Sequence, residues 1–306
     1  MTPIRYRPGA RCALAYRLGG PSGTHHFFGK LFRQPDPQRM AALPLLYARA
    51  QADAALPRVP RPLAYWPDLH LLILPVVNGA ELHEVVFDAT VPLAVRVAWF
   101  VQLGAKVAAL HNLAPLALPH RTLAADLADL AIYVPIMERL LPTLAPAYAA
   151  TLQALTVIAP TLPAAVPVVC HGALRTDQFL LTKSEPPCEA AEELMLIDLD
   201  TLCLAHPAAD IGNCLAYLQW KAIRQPQHAM LIAQAEQALL TGYAAVRGLP
   251  PAASIALYRA VALLKIAGRR FPNLTYREWP LTPQLVQAAQ DLIATTPLNA
   301  GSVSAL

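Results

Sequence analysis

The sequence predicts an α+β protein, with a small antiparallel β-rich region at residues 1–78 and a large, mainly helical region at residues 79–306. Short apolar runs separated by Gly and Pro fill the first region, which is typical of strands joined by turns. Long Ala- and Leu-rich segments with helical spacing fill the second region. A group of short strand-like segments between residues 166 and 198 interrupts these helices and carries polar motif residues.

In the N-terminal region, two strands are expected at residues 12–18 and 25–32, on either side of a Gly-rich connection, after a strand stub at residues 4–6. Residues 37–56 have the pattern of a helix that Pro44 is expected to disturb. Two further strands are expected within residues 61–77. Asn78 and Gly79 then end the last strand, which sets the boundary between the two regions.

In the C-terminal region, helices are expected at residues 93–112, 123–141, 146–158, 207–220, 228–247, 253–270 and 283–294. Short strands are expected at residues 166–169, 179–182 and 194–198. The polar residues 183–193, which include two adjacent prolines, are interpreted as a hairpin insertion.

Composition excludes a disordered chain, because 56% of the 306 residues are hydrophobic and only 14% are charged. The most apolar run, residues 91–118, contains Arg96, Lys106 and His111. A charged side chain at bilayer depth costs roughly 2.5–3.5 kcal/mol, so we expect no membrane span there. The N-terminus lacks the apolar segment of a signal peptide, and we therefore expect a cytoplasmic protein.

Charge is unevenly distributed along the chain. Residues 1–61 contain 10 basic and 2 acidic side chains, whereas the remainder contains 14 basic and 18 acidic ones. This asymmetry suits an anionic ligand near the N-terminal region, although a solvated strand surface would show it too. Basic clusters with aromatic platforms are not seen, so nucleic-acid binding is not expected.

Five cysteines without a Cys-x-x-Cys pair argue against a zinc or disulfide framework.

Two groups of polar residues carry the candidate chemistry. Asp198 ends the apolar run 194–197, and a carboxylate at the end of a buried strand needs a cation or hydrogen bonds. Magnesium prefers such oxygen ligands, and the amide of Gln178 offers another. Asp200 shares a face with Asp198 if the strand continues, or is a surface acid. Earlier in the chain stands the run His171-Gly172-Ala173-Leu174.

These residues resemble the aminoglycoside phosphotransferase / choline-kinase-like family, whose pattern is His-Gly-Asp-Leu-His-x-x-Asn, then Ile-Asp, then Gly-Asp-Pro-x-x-Asp. The resemblance extends over roughly residues 4–270, and its matching positions are His171, Gly172, Leu174, Leu180, Ile197, Asp198, Pro207 and Asp210. It implies a two-lobed protein-kinase-like fold with a nucleotide-binding N-terminal lobe, which we expect to be shortened here. It also implies that ATP and Mg²⁺ are used to phosphorylate a hydroxyl of a small-molecule acceptor.

The resemblance also implies roles for single residues. Lys30 would contact nucleotide phosphates, Gly9 would lie in the phosphate-covering loop, and the backbones of Pro75 and Val77 would contact adenine. Magnesium ligands would be Gln178, Asp198 and Asp200, while His171 would orient the catalytic loop and Asp210 would anchor it. Non-catalytic alternatives stay open: Lys30 could be an exposed lysine on a strand, and Asp210 could be the cap of a helix. The helix after Lys30 contains no Glu to pair with it, so we expect Lys30 to be less well oriented.

Ala173 stands where the family has its catalytic Asp. A methyl group cannot accept the proton of the acceptor hydroxyl, and loss of a general base typically costs about 10²–10⁴ in rate. Two hypotheses follow: a phosphotransferase with weakened or lost activity, and a pseudokinase that binds a nucleotide or a partner without turnover. A purely structural helical protein would leave Asp198 and His171 unexplained. The first two hypotheses expect Lys30 and Asp198 to meet at one triphosphate–magnesium unit.

Overall fold

The computed structural model describes residues 1–7, 11–20, 23–183 and 192–295. The chain forms two compact units. The first unit comprises Met1–Val91, Ala114–Pro119 and Thr176–Leu202, and the second comprises Pro92–Leu113, His120–Arg175 and Cys203–Leu306. Residues 176–202 therefore group with the N-terminal part of the chain. The lobe boundary after residue 78 stays a prediction.

The secondary structure is an N-terminal antiparallel sheet followed by a mainly helical region, as the α+β prediction requires. The strands are β1 (Thr2–Arg7), β2 (Arg11–Gly20), β3 (Gly23–Phe32), β4 (Ala64–Trp66), β5 (Leu71–Pro75), β6 (Ala80–Glu81), β7 (Val168–Cys170), β8 (Phe179–Lys183), β9 (Glu192–Leu196) and β10 (Cys203–Ala205). The helices are α1 (Pro37–Ala52), α2 (Leu82–Phe87), α3 (Leu93–His111), α4 (Leu123–Ala131), α5 (Val134–Leu140), α6 (Ala145–Ile158), α7 (Ala208–Arg224), α8 (Ala229–Val246), α9 (Ala252–Arg269) and α10 (Thr282–Thr295).

The main sheet of the first unit has the strand order β1-β2-β3-β5-β4, and all its neighbours are antiparallel. In the β2–β3 pair, Ala13 lies opposite Lys30 and Arg11 lies opposite Phe32. Opposite residues of an antiparallel pair point to the same face, and so do residues two apart on a strand. The register therefore puts Arg11 and Lys30 on one face of the sheet.

Helix α1 crosses its internal proline without ending. Its first turn is capped by the Asp36 side chain, which accepts a hydrogen bond from the Arg39 backbone N–H at 3.0 Å. Pro44 removes one backbone donor, but the helix continues for eight more residues to Ala52. Burial of its apolar face offsets that loss, and this face consists of Met40, Ala42, Leu43, Leu46 and Ala50.

A second sheet of the first unit has the order β6-β8-β9. Arg58 extends it, because its backbone N–H donates to Leu194 O at 3.0 Å and its carbonyl accepts from Leu196 N at 2.7 Å. The backbone N–H of Ile197 donates to Gln178 O at 2.8 Å. This bond holds the backbone at Gln178 beside the backbone that leads into Asp198, so two predicted site residues lie on neighbouring segments.

In the second unit, β7 pairs with β10 and not with β8 or β9, so the three short strands expected between residues 166 and 198 belong to two different sheets.

Most of the predicted helices begin and end within two residues of the predicted bounds. The helix expected at 123–141 is instead divided into α4 and α5. Pro135 lacks the N–H that a continuous helix would need there.

Helices α3 and α8 pack at very short distance. A Cβ atom on Gly104 of α3 would collide with the carbonyl oxygen of Leu239, and one on Gly242 of α8 would collide with the carbonyl oxygen of Val101. Helix α3 is long and apolar enough to cross a membrane by length and composition, with 44% of the relevant window buried. Its contact with α8 accounts for the apolar face that it buries.

Candidate functional site

Four charged side chains of the first unit meet in what we call the charge cluster: Arg11, Lys30, Asp198 and Asp200. Lys30 Nζ lies 2.6 Å from Asp198 Oδ1 and 2.7 Å from Asp200 Oδ1. Arg11 Nη1 and Nη2 each lie 3.1 Å from an oxygen of Asp198, and Nη1 also pairs with Asp200. Each cation therefore contacts both carboxylates.

Backbone geometry brings the two acids to the same cations. Asp198 adopts the left-handed region, with φ 60° and ψ 45°, and begins the 3₁₀ turn Leu199–Thr201. A non-glycine residue in this region is uncommon, although Asp tolerates it better than most, and such strain clusters at functional sites. The turn lets both carboxylates reach Lys30, which the β2–β3 register has placed beside Arg11.

The cluster is electrically balanced, with two carboxylates and two cations. The side chains of Lys30 and Asp200 are only 9% and 10% exposed, so neither charge would be tolerated there alone. Burial by itself would raise the pKa of Asp198, but Lys30 and Arg11 outweigh it and hold that pKa well below its usual range. Both cations therefore stabilise the ionised form of Asp198.

Two features of this cluster differ from the sequence analysis. The expectation that Lys30 is poorly oriented is wrong, because Asp198 and Asp200 replace the missing helix Glu as its partners. Sequence reasoning also missed Arg11, which was counted only among the 10 basic side chains of residues 1–61. The signal that could have found it is the alternation along β2, but using this signal requires the β2–β3 register.

Gln178 is well suited to bind a hard cation. The residue is 3% exposed, and its side-chain Oε1 has no hydrogen-bond partner among the residues that the structure describes. A buried amide oxygen left without a donor is costly, and a metal ion would satisfy it. The carboxylates of Asp198 and Asp200 have the right chemistry too, so the donor set fits Mg²⁺, although Lys30 and Arg11 hold both carboxylates.

In the second unit, Asp210 holds the start of the loop that contains Ala173. Its carboxylate accepts hydrogen bonds from the backbone N–H of His171 at 2.7 Å and of Gly172 at 2.8 Å, and lies 3.3 Å from His111 Nε2. Burial opposes ionisation of Asp210, but contacts with His111 and His171 outweigh it and hold its pKa below the usual range. Asp210 lies in the first turn of α7 and anchors this loop through the two backbone N–H groups.

The other side of Ala173 is fixed as well. Asn213 Nδ2 donates to the carbonyl of Leu174 at 2.7 Å, and the guanidinium of Arg175 stacks 4.9 Å from the ring centre of Tyr217. Gly172 has φ 80°, which favours glycine at that turn. Asn213 was not singled out in the sequence. The backbone is thus held on both sides of a residue whose side chain is a half-buried methyl group.

His111, Cys170 and Asp210 form a buried group with metal-ligand chemistry in the second unit. Their atoms already contact protein partners: His111 Nδ1 lies 2.9 Å from Tyr243 Oη, and Asp210 accepts the two loop N–H groups. Burial and the nearby Asp210 raise the pKa of the Cys170 thiol, which disfavours the thiolate that binds metal. We interpret this group as an anchor of the loop.

The remaining predicted residues are placed as follows. Pro75 is the last residue of β5, where it pairs with Phe27 of β3, and Val77 lies half-buried just beyond the strand. Gly9 lies outside the described residues. A cavity of about 230 Å³ adjoins the charge cluster, and its walls include Arg11, Asp200, Phe32, Asp36, Arg39 and Thr201.

Several solved structures share this fold. An amicoumacin kinase in complex with AMP-PNP, Ca²⁺ and Ami is 14% identical, with a TM-score of 0.66 over 97% of this chain and 89% of its own. A thermostable mutant of aminoglycoside phosphotransferase APH(4)-Ia is 14% identical, with a TM-score of 0.60 over 98% and 95%. A choline/ethanolamine kinase family protein from Mesorhizobium loti is 15% identical, with a TM-score of 0.57 over 92% and 88%.

No curated protein sequence matches the chain. The sequence profile of the phosphotransferase enzyme family matches residues 8–249, which include the charge cluster, Gln178 and the loop around Ala173. The chain therefore belongs to the phosphotransferase enzyme family.

Proposed function

We propose that this protein binds ATP with Mg²⁺ and descends from enzymes that phosphorylate a hydroxyl of a small molecule, with phosphoryl transfer weakened or lost. The observation that carries the proposal is the 2.6 Å contact between Lys30 Nζ and Asp198 Oδ1. A phosphate-contacting lysine and a metal-binding carboxylate must converge on the same nucleotide, and this contact places the two side chains together. Burial of the lysine shows that the contact is not an incidental surface pair.

In this proposal Lys30 contacts the nucleotide phosphates, while Gln178, Asp198 and Asp200 supply oxygen ligands. A bound Mg²⁺ would neutralise phosphate charge. Pro75 can accept a hydrogen bond from adenine through its carbonyl, and the backbone N–H of Val77 can donate one. Asp210 holds the loop of His171 in place and does not itself touch the substrate.

Loss of transfer follows from Ala173. Its methyl group can neither orient the acceptor hydroxyl through a hydrogen bond nor accept its proton, and proton acceptance needs a general base at that position. The backbone there is nevertheless held by Asp210 on one side and by Asn213 on the other. Only the side chain is missing from an otherwise ordered loop.

A second candidate function is a pseudokinase, a nucleotide- or partner-binding module without turnover. Arg11 favours it, because the guanidinium already holds the two carboxylates that would otherwise bind metal. Structures of the family fold contain AMP-PNP and Ca²⁺ in one case and GDP with kanamycin in another, so a nucleotide and a small acceptor are the ligands we propose under either candidate. We further propose a cytoplasmic location.

A thermal-shift titration with ATP and Mg²⁺ tests nucleotide binding. Binding to the folded state raises the unfolding temperature by mass action, so we expect a dose-dependent rise. Lys30→Met should remove the rise, whereas Arg17→Gln, an exposed change in the same sheet, should preserve it. Absence of any rise in the unmodified protein would reject nucleotide binding under both candidates and leave only a partner-binding module.

Substitution at position 173 separates the two candidates. Ala173→Asp restores the carboxylate on an ordered backbone, so under the weakened-enzyme candidate ATP turnover should increase by about 10²-fold or more. Ala173→Asn is the matched control, because it has nearly the same shape and cannot accept a proton. Equal turnover in the two variants would favour the module without transfer.

A further inference from the structure

We propose that Arg11 is a built-in counter-cation that competes with a divalent metal ion for Asp198 and Asp200. The inference rests on the proposed use of these two carboxylates as metal ligands. It adds a residue that the family motifs do not include, and it predicts that this chain has an unusually low metal affinity in the absence of nucleotide.

The carboxylate oxygens are already engaged. Asp198 Oδ1 contacts Lys30 Nζ at 2.6 Å and Arg11 Nη1 at 3.1 Å, and Oδ2 contacts Arg11 Nη2 at 3.1 Å. This is the bidentate arrangement that makes arginine–carboxylate pairs strong. On Asp200, Oδ1 contacts Lys30 at 2.7 Å and Oδ2 contacts Arg11. Magnesium binds such oxygens at about 2.1 Å, so it must displace one of the two cations.

Arg11 is the cation that can leave. Lys30 lies within β3, and its side chain is 9% exposed, whereas Arg11 begins β2 and its side chain is 20% exposed. Arg11 also lines the cavity of about 230 Å³, which offers its guanidinium room to move aside. Lys30 would then stay with both carboxylates.

Charge balance gives the direction of the effect. With Arg11 and Lys30 in place, the two carboxylates are neutralised. An arriving divalent ion is then not attracted by a net negative charge, and the guanidinium of Arg11 repels it. Without the positive charge at position 11, the remaining three groups carry a net charge of −1 and attract the ion. The buried Oε1 of Gln178 supplies a further oxygen that favours a metal ion in this part of the unit.

The test is a Mn²⁺ titration of the full chain without nucleotide, in which electron paramagnetic resonance measures the free ion. Arg11→Gln should bind Mn²⁺ about 10- to 100-fold more tightly than the unmodified protein, because a repulsive charge has been removed. Arg11→Lys retains the charge and should bind weakly. Arg17→Gln is the matched control on β2, since that side chain is exposed, and it should leave the affinity unchanged. Unfolding temperatures of all variants verify that each is folded.

Tight binding by Arg11→Gln that disappears on adding Asp198→Asn would support the proposal. Equal Mn²⁺ affinity of Arg11→Gln and the unmodified protein, with binding still sensitive to Asp198→Asn, would overturn the competition and leave the metal role of Asp198 standing. If no variant binds Mn²⁺ at all, the competition and that metal role are both rejected, while the ATP thermal shift still reports on nucleotide binding.

Discussion

The buried side chain of Asp210 holds the loop that begins at His171, although the two residues are separated by 39 positions in the sequence. It is 1% exposed and accepts the backbone N–H groups of both His171 and Gly172. Hydrogen bonds to a charged acceptor are stronger than neutral ones, and losing that acceptor leaves the buried N–H of His171 and the half-buried N–H of Gly172 unsatisfied. The conformation of this loop should therefore depend more on Asp210 than on the side chains of the loop itself.

Asp210→Ala should lower the free energy of unfolding by about 3–5 kcal/mol, as expected when one member of a buried ionic network is removed. Asp129→Ala is the control: this acid also pairs with an arginine, but its side chain is 60% exposed. Exposed pairs are worth less than about 1 kcal/mol. Urea unfolding curves provide both values, and similar losses in the two variants would contradict the anchoring role.

Lys265 offers a pH-dependent prediction. Burial, with help from Arg121 and Arg269, lowers its pKa to about 8 and outweighs the opposing effect of Asp126. The unfolded chain, with a lysine pKa of about 10.4, binds more protons than the folded one between these two values. Folding stability from this group therefore rises as pH increases from about 8 to about 10.4.

Lys265→Met removes this titration while keeping most of the side-chain volume. The variant should be more stable than the unmodified protein at pH 7, and the difference should shrink as the pH is raised towards 10. Urea unfolding of both proteins across this range measures the difference. A stability difference that does not change with pH would show that Lys265 keeps an ordinary pKa in the fold.

At the scale of elements, the crossing of α3 and α8 is set by two glycines. Each glycine lacks a side chain at the point where a backbone carbonyl of the partner helix comes close. The carbonyl of Leu239 lies against Gly104, and the carbonyl of Val101 lies against Gly242. Backbone atoms cannot move aside as a flexible side chain can. The distance between the two helices is therefore determined by these residues and not by the large apolar side chains around them.

Gly104→Ala and Gly242→Ala should each destabilise the fold by about 1–3 kcal/mol through overpacking, despite the better helix propensity of alanine. Gly248→Ala is a control, because a Cβ atom there meets nothing within 4 Å, and its effect should stay within about 0.5 kcal/mol. Thermal unfolding of the three variants tests this. If the helix-crossing variants were as stable as the control, the close packing would be refuted.

The elements that the sequence predicted well are those with a local signal. Helix α3 ends within one residue of expectation because its apolar spacing and the residues after it are read directly from the chain. Asp198 was found because it ends an apolar run, and Lys30 was found through the family resemblance. Arg11 was missed, since its partners depend on the β2–β3 register and on a turn at Asp198 that no short pattern indicates. The division of α4 and α5 was missed although Pro135 was visible.

At the scale of the molecule, the first unit is assembled from segments that are far apart in sequence. Its N-terminal strands hold Arg11 and Lys30, and residues 176–202 supply the acids that neutralise them. Strand β9 of the same segment also pairs with the backbone of Arg58. A fragment of residues 1–91 would lack all of these contacts.

We expect this fragment to show no cooperative unfolding transition, because a buried lysine and an arginine would be left without counter-charges. Circular dichroism during urea denaturation measures it. The control is the same fragment with Lys30→Met and Arg11→Gln, which should regain part of its ordered structure if charge is the cause. A sharp transition in the unmodified fragment would show that the N-terminal strands fold without residues 176–202.

The long separation between Lys30 and Asp198, 168 residues, has a consequence during protein synthesis. Ribosomes add about 5–20 residues per second, so the strand bearing the lysine is made roughly 8–34 s before its acidic partner. Throughout that interval the nascent N-terminus must carry uncompensated positive charge and apolar strand surface. A cell that makes this protein therefore exposes a segment that chaperones or ribosomal RNA can bind before the native contact forms.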